Sequence, residues 1–304
     1  MKRIIKATAT VGGMTMILRI LGFVRDVVIA RYFGASMGAD AFFVAFKIPN
    51  FFRRLFAEGA FSQAFVPVLA EAKEKRGHAA VKHLVNAISF RLGGILLLLT
   101  AFGVFGSSLW MMVFAPGFMD QPEKFNLASD MLAITFPYLL LISLVAFSSA
   151  SMNTYNQFAV PAFTPVFLNL VLITFAIWVA PLMDIPIMAL AWGVLVAGVV
   201  QLLFHLPFLY KLDLLPHPTR EKDEGVDDVK RLMLPALFGV SVAQINLLVD
   251  TILASFLVTG SVSWLYYSDR LMEFPLGVFG VALATVALPH LSRYSLQQSH
   301  PLNH

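Results

Sequence analysis

The sequence predicts an all-α, polytopic membrane protein, a bundle of about eight transmembrane helices. Three observations predict it. Of 304 residues, 58% are hydrophobic and only 13% are charged, with a mean hydropathy of +0.77, whereas soluble domains carry roughly 25% charged residues. Eight windows reach the roughly 20 mainly apolar residues that span a bilayer core, near 8–30, 39–70, 84–114, 127–152, 159–181, 185–210, 232–258 and 266–292. Lys and Arg also segregate to alternate loops. With the N-terminus inside, the inner segments 1–7, 71–83, 153–158, 211–231 and 293–304 hold thirteen of them, while the outer loops hold Arg31 and Lys124. By the positive-inside rule the N-terminus is cytoplasmic, and the even span count returns the C-terminus to the same side.

The first span opens on a basic Met1-Lys2-Arg3, as a signal peptide does, but Arg19, Arg25 and Asp26 interrupt the apolar run and it reads as a retained span. The second carries Asp40, Lys47, Arg54 and Glu58 at spacings of seven, seven and four, one helical stripe, with Arg53 beside it and Pro49 placed to bend the helix. The third to sixth spans are clean, as in Leu92 to Val104. A charged, proline-containing stretch follows, with Pro216, Pro218 and Arg220-Glu221-Lys222-Asp223-Glu224. It divides the chain into a six-helix unit (1–215), a linker (216–231) and the first two helices of a second unit (232–304). The eighth span opens with Asp269, Arg270 and Glu273, whose stripe continues as Gly277, Gly280 and Ala284. A faint repeat relates the units: Asp26 and Ala30 match Asp250 and Ala254, Pro49 matches Pro275, and Pro67-Val68-Leu69 matches Pro289-His290-Leu291.

Composition removes several function classes. Without cysteine there is no disulfide framework, thiolate metal site or cysteine nucleophile. The isoelectric point near 9.3 reflects loop charge rather than nucleic-acid binding, since no basic platform interleaved with aromatics accompanies it. The seven histidines are scattered without metal-ligand spacing, and no phosphate-cradling glycine loop or nucleophile–base pair stands out. No metal or cofactor is expected, and the chain reads as a transporter rather than an enzyme.

Charge inside the spans carries the chemistry. A central charge facing lipid costs roughly 2.5–3.5 kcal/mol on the insertion scale, so these residues are expected to face the bundle interior, water or each other. Ion pairs such as Arg25–Asp26 or Arg54–Glu58 would neutralise some, and snorkelling to the headgroups is an equal reading for Lys47 and Arg91. Arg19, Arg53, Arg54 and Arg270 outnumber the acids near them, and an excess of guanidinium in a low-dielectric cavity wants an anion that matches its fork, such as a phosphate. A diphosphate-linked lipid would fit.

The same residues carry a resemblance. Arg19-Ile20-Leu21-Gly22-Phe23-Val24-Arg25-Asp26 resembles the first helix of the MurJ lipid II flippase family, and Ala39-Asp40-Ala41-Phe42-Phe43 through Pro49-Asn50 resembles its second, as does Phe52-Arg53-Arg54-Leu55-Phe56-Ala57-Glu58 through Pro67. Tyr266-Tyr267-Ser268-Asp269-Arg270-Leu271-Met272-Glu273-Phe274-Pro275 is similar to the opening of its eighth. The resemblance implies the multidrug/oligosaccharidyl-lipid/polysaccharide exporter (MOP, MATE-like) fold, two six-helix lobes around a V-shaped cavity. It implies movement of undecaprenyl-diphosphate-linked peptidoglycan precursor from inner to outer leaflet of the bacterial inner membrane by alternating access. It assigns Arg19, Arg25, Asp26, Asp40, Arg53, Arg54, Glu58, Arg270 and Glu273 to substrate binding. It implies lipid II, membrane lipids and cell-wall synthesis proteins as partners. The family has about fourteen helices, so this chain is expected to be a C-terminally truncated member. The alternatives are an exporter of other lipid-linked sugars or of drugs, or a non-transporting fragment or scaffold.

Overall fold

A computed structural model describes residues 2–273 and 275, and among these every regular element is helical. Four stretches are long and apolar enough to cross a membrane on composition alone: His78–Phe105, Pro122–Thr154, Ala159–Leu182 and Met188–Lys211. A fifth, Glu224–Val242 with Gln244–Ser255, does so as a pair bent by 42°. The charge-bearing helices are long enough by geometry. Helix α1 (Lys2–Phe33) has 32 residues, about 48 Å at the α-helical rise. Helix α2 (Met37–Phe52), a π-helical segment (Arg53–Phe61) and α3 (Ser62–Arg76) follow one another as a single rod.

The remaining elements are α4 (His78–Phe105), α5 (Ser107–Phe114), α6 (Pro122–Thr135), α7 (Tyr138–Thr154), α8 (Ala159–Phe163), α9 (Pro165–Thr174), α10 (Met188–Lys211) and α11 (Glu224–Ser255), with a helix α12 over 261–273. The third expected span is broken at Gly106 into α4 and α5, and the fifth is interrupted before Pro165. Helix α11 starts inside the expected linker, because the Asp223 side chain accepts the Gly225 N–H and caps it. The final helix begins at 261, five residues earlier than expected; the rest of the eighth span, with Gly277, Gly280, Ala284, Pro289, His290 and Leu291, and the inner segment with Arg293, lie outside the described residues.

Each span reverses direction, so the bundle has a linker end, holding 73–83, 154–159 and 211–224, and an opposite end, holding 33–40, 114–124, 182–188 and 255–263. Two apolar cores sit towards these ends. One gathers Phe42, Ile48, Phe118, Leu139 and Leu190; the other gathers Phe65, Leu69, Leu84, Phe147 and Val226. The charged π-helical segment falls between them.

Local chemistry explains the rod's shape. Pro49 has no N–H for the carbonyl of Ala45, and the hydroxyl of Thr135 on α6 donates to that carbonyl instead, at 3.1 Å. The break in the backbone ladder is thus satisfied within the bundle, as a lipid-embedded chain requires. Downstream, Gly59 lets the π-helical segment lie against α11. A Cβ there would reach 2.8 Å from Val240 Cγ1 and closer still to the Arg54 carbonyl.

Candidate functional site

A cavity of about 220 Å³ opens between α2, the π-helical segment, α11 and α12. Five cationic side chains line it, Arg25, Lys47, Arg53, Arg54 and Arg270, against two carboxylates, Asp269 and Glu273. A second cleft of about 410 Å³ lies beside it between α1, α9 and α12, lined by Arg19, Arg25, Asp26, Asn169, Arg270 and Glu273 among others. The two share Arg25, Leu168, Arg270 and Glu273.

The wall between them is a polar network. Arg25 and Asp26 are both nearly buried. Arg25 donates from Nε and Nη2 to Asp26 Oδ1 at 2.9 and 2.7 Å, from Nη1 to Asn169 Oδ1 at 3.0 Å, and from Nη2 to the Tyr266 hydroxyl at 3.0 Å. Tyr266 in turn donates to Asp26 Oδ1 at 3.0 Å. Arg270 Nε lies 3.5 Å from Asp26 Oδ2, and its Nη1 donates to Glu273 at 3.0 Å. The ring of Tyr266 is held by Phe43, stacked at 4.0 Å, and Arg270 sits 5.3 Å from its centroid. Three helices distant in sequence thereby join one network: the Asp26 carboxylate is shared by α1 and α12, and Asn169 of α9 enters through Arg25. A shared, fully partnered carboxylate in low dielectric orients each guanidinium more firmly than isolated pairs would.

The π-helical segment decides the next pair. The spacing of four pointed to Arg54–Glu58, but Glu58 pairs with Arg53. In an α-helix residues i and i+4 share a face, whereas the wider π turn aligns i with i+5. Arg53 Nε also donates to Asn50 Oδ1 at 3.0 Å. Arg54 is freed from Glu58 by the same geometry. Among the described residues no carboxylate lies within ion-pairing distance of Arg54, Lys47 or Arg19. Lys47 shares the cavity lining with Asp269 without pairing with it.

Asp40 lines neither cavity. It is fully buried at the opposite end, where it accepts from Lys124 Nζ at 2.8 Å, Gly260 N at 2.7 Å, Ser263 N at 2.9 Å and Ser263 Oγ at 2.6 Å. Lys124, placed by its sequence in an outer loop, is buried over the ring of Phe118 at 4.3 Å. Alongside, Gly117 packs so closely on the Ser255 carbonyl that no side chain would fit. These contacts tie α2, α6, α11 and α12 together at the opposite end.

The structure thus brings Arg19, Arg25, Asp26, Arg53, Arg54, Arg270 and Glu273 around the two cavities, sets Glu58 behind Arg53, and holds Asp40 apart. Sequence reasoning passed over Asn50, Asn169, Tyr266 and Lys124. Asn169 carried a usable signal, as a single amide in the apolar run Pro165–Thr174. So did Tyr266, one α-turn before Arg270. Lys124 carried none, because only the fold brings it to Asp40.

A family model described as lipid II flippase MurJ matches residues 29–303. Among curated relatives, a probable lipid II flippase MurJ of Vibrio cholerae is 53% identical over 300 residues, covering 96% of this chain and 57% of the relative. Its counterpart in Haemophilus influenzae is 50% identical over 293 residues, covering 94% and 58%. The lipid II flippase MurJ of Burkholderia cenocepacia is 49% identical over 293 residues, covering 95% and 57%. The chain spans a little under three-fifths of the length of these relatives. A solved structure of lipid II flippase MurJ in an inward closed conformation superposes with a TM-score of 0.78 at 30% identity, over 93% of this chain and 58% of that one. A MOP superfamily transporter from Pyrococcus furiosus, at TM-score 0.67 and 16% identity over 93% and 64%, shares the fold.

Proposed function

This chain belongs to the MurJ lipid II flippase family, and from that premise we propose that its basic cavity receives the diphosphate of lipid II, the undecaprenyl-linked peptidoglycan precursor, for transfer from the inner to the outer leaflet of the bacterial inner membrane. The observation that carries the reading is the excess of cations over carboxylates on the cavity wall. Arg25, Arg53 and Arg270 are preorganised by Asp26, Glu58 and Glu273, while Arg54 and Lys47 keep their charge uncommitted. Guanidinium groups fixed by second partners match the two oxygens of a phosphate without reorganising. The two cavities meet at Arg25 and Arg270, so in this reading a lipid-borne headgroup enters by the lateral cleft beside Arg19 and reaches the main cavity by displacing that wall, while its chain stays outside.

In this reading residues 1–215 form one lobe, 216–231 the linker, and 232–304 the beginning of the second lobe, with the N-terminus and linker on the cytoplasmic side. Asp40 acts at a distance from the substrate. By tying α2 and α6 to the start of α12, it holds the outer end shut, and opening that end requires the second lobe to withdraw Gly260 and Ser263 from its carboxylate.

The test grafts residues 1–304 in place of the matching segment of the full-length Vibrio cholerae relative and scores precursor flipping in cells. Arg53→Ala, Arg54→Ala and Arg270→Ala are each expected to lower flipping at least tenfold, with membrane insertion unchanged. Undiminished flipping in all three would overturn the reading.

A further inference from the structure

Away from the cavity, the linker and the turn that precedes it do not hang free but are fastened along the first four turns of α4. Lys82 Nζ donates to both Asp213 oxygens at 2.7 and 2.8 Å. Asn86 receives the backbone N–H of His217 on its side chain at 2.8 Å and that of Thr219 on its carbonyl at 3.3 Å. His83 lies between the carboxylates of Glu221 and Asp223, at 2.8 and 2.7 Å. Arg91 Nη2 donates to the Glu221 carbonyl at 3.2 Å and its Nη1 to the Ala87 carbonyl at 2.9 Å. Arg220 lies over the exposed ring of Phe90, 5.3 Å from its centroid.

Two guanidinium groups, one from α4 and one from the linker, therefore lie near Phe90, Arg220 over its ring and Arg91 next to it in sequence and bonded to the linker at Glu221. Among the described residues neither has a carboxylate within ion-pairing distance. The adjacent acid in sequence, Glu221, is turned towards His83. Arg91 also heads a helical stripe, Ile95, Leu98, Phe102 and Phe105, whose members are all exposed on the outside of the bundle. At 1.5 Å per residue this stripe runs about 21 Å from Arg91 to Phe105, so acyl chains lying along it bring their headgroups to Arg91. A carbonyl-bound Arg91 has spent two of its five N–H groups and Arg220 has given only its face to Phe90, which leaves donors for a phosphate.

We propose that Phe90, Arg91 and Arg220 form a binding site for the phosphate of an anionic glycerophospholipid, with the acyl chains on the Ile95–Phe105 stripe. Because its two cations come from different segments, the bound phosphate bridges α4 to the linker and strengthens the fastening of the chain that leads into α11. The membrane surface thereby bears on the segment joining the two units. The site is separate from the cavity, and its occupant shares only the phosphate with the substrate proposed above.

Native mass spectrometry of the purified full chain in neutral detergent, titrated with phosphatidylglycerol or phosphatidylcholine, tests this directly. Phosphatidylglycerol is expected to be retained in preference to phosphatidylcholine. Arg91→Gln and Arg220→Gln should each weaken retention about fivefold, and the double variant on the order of 25-fold, from a contribution of about 1 kcal/mol per basic residue at an anionic surface. Arg231→Gln, on exposed α11 surface, should leave it unchanged. Millimolar inorganic phosphate should compete weakly, since it lacks the acyl chains. Equal retention of both lipids, wild-type retention in the double variant, or full displacement by inorganic phosphate would each overturn the proposal. Should the double variant not fold, Arg220→Gln alone carries the test, because its side chain packs only on Phe90. Cavity variants such as Arg54→Ala should not alter this retention, which keeps its failure distinct from failure of the flippase reading.

Discussion

Two groups of charged side chains lie inside this bundle, and they are built on opposite principles. At the end opposite the linker, Asp40 is fully buried and its two oxygens accept four hydrogen bonds, from a lysine, two backbone amides and a hydroxyl. Nothing there is left to offer a ligand. Around the cavity, Arg54 and Lys47 have no carboxylate in ion-pairing distance among the described residues, and the partnered arginines still line open space. Charge within a membrane is costly in both places. Where the partners balance, it fastens helices together; where cations exceed anions beside a void, it is the basis of the anion site proposed above. Burial alone does not distinguish the two cases. The count of partners does.

Breaking the Asp40 cluster gives the largest expected effect on stability. Asp40→Ala strands Lys124 in an apolar pocket and should cost about 3–5 kcal/mol, the usual penalty for an orphaned buried charge. Thermal unfolding in detergent would register it, and Asp40→Leu combined with Lys124→Met should recover much of the loss. A single variant as stable as the parent would mean that this end is wet. Gly59→Ala comes next, at about 1–3 kcal/mol, because its new methyl collides with Val240 and the Arg54 carbonyl.

Cavity variants sharpen the contrast from the other side. Arg54→Ala should stay within about 0.5 kcal/mol of the parent in stability, as for a side chain with no structural partner, while abolishing most flipping in the grafted protein. A double-mutant cycle separates the neighbouring arginines. Arg53 and Glu58 should couple by about 0.5–1 kcal/mol, and Arg54 and Glu58 by less than the error of the measurement. Coupling through Arg54 instead would return the segment to α-helical geometry. The smallest effect belongs to the linker strap. A hydrogen bond from Lys82 holds the exposed Asp213 carboxyl below the usual carboxylate range. Its contribution is therefore present at neutral pH and is lost as the pH falls through that lowered value. Asp213→Asn should leave the melting temperature unchanged and only speed amide exchange over 214–222 at fixed pH.

Much of this was legible in the sequence. The helical class, the order of the spans and the collection of arginines on the first, second and eighth spans follow from apolar windows and from the cost of charge in lipid. Reading Glu58 as the partner of Arg54 failed because an α-helical period was applied to a stretch that is wound as a π-helix. Grouping Asp40 with the cavity residues assumed that one stripe meets one environment. A helix of this length passes through several, and its first turn is packed by α6 and α12 rather than by the void. Asn169 and Tyr266 were visible as types but not as partners of Arg25, 144 and 241 residues away.

By itself the sequence determined that lipid is the solvent, where the helices run, and that their charges must avoid it, because those properties depend on composition and local period. The tertiary structure alone decided which charges meet. A carboxylate recognises its donors by a few ångströms of position, and only the packing of distant helices sets Lys124 on Asp40 and Tyr266 between Arg25 and Asp26, and leaves Arg54, among the described residues, without an ion pair.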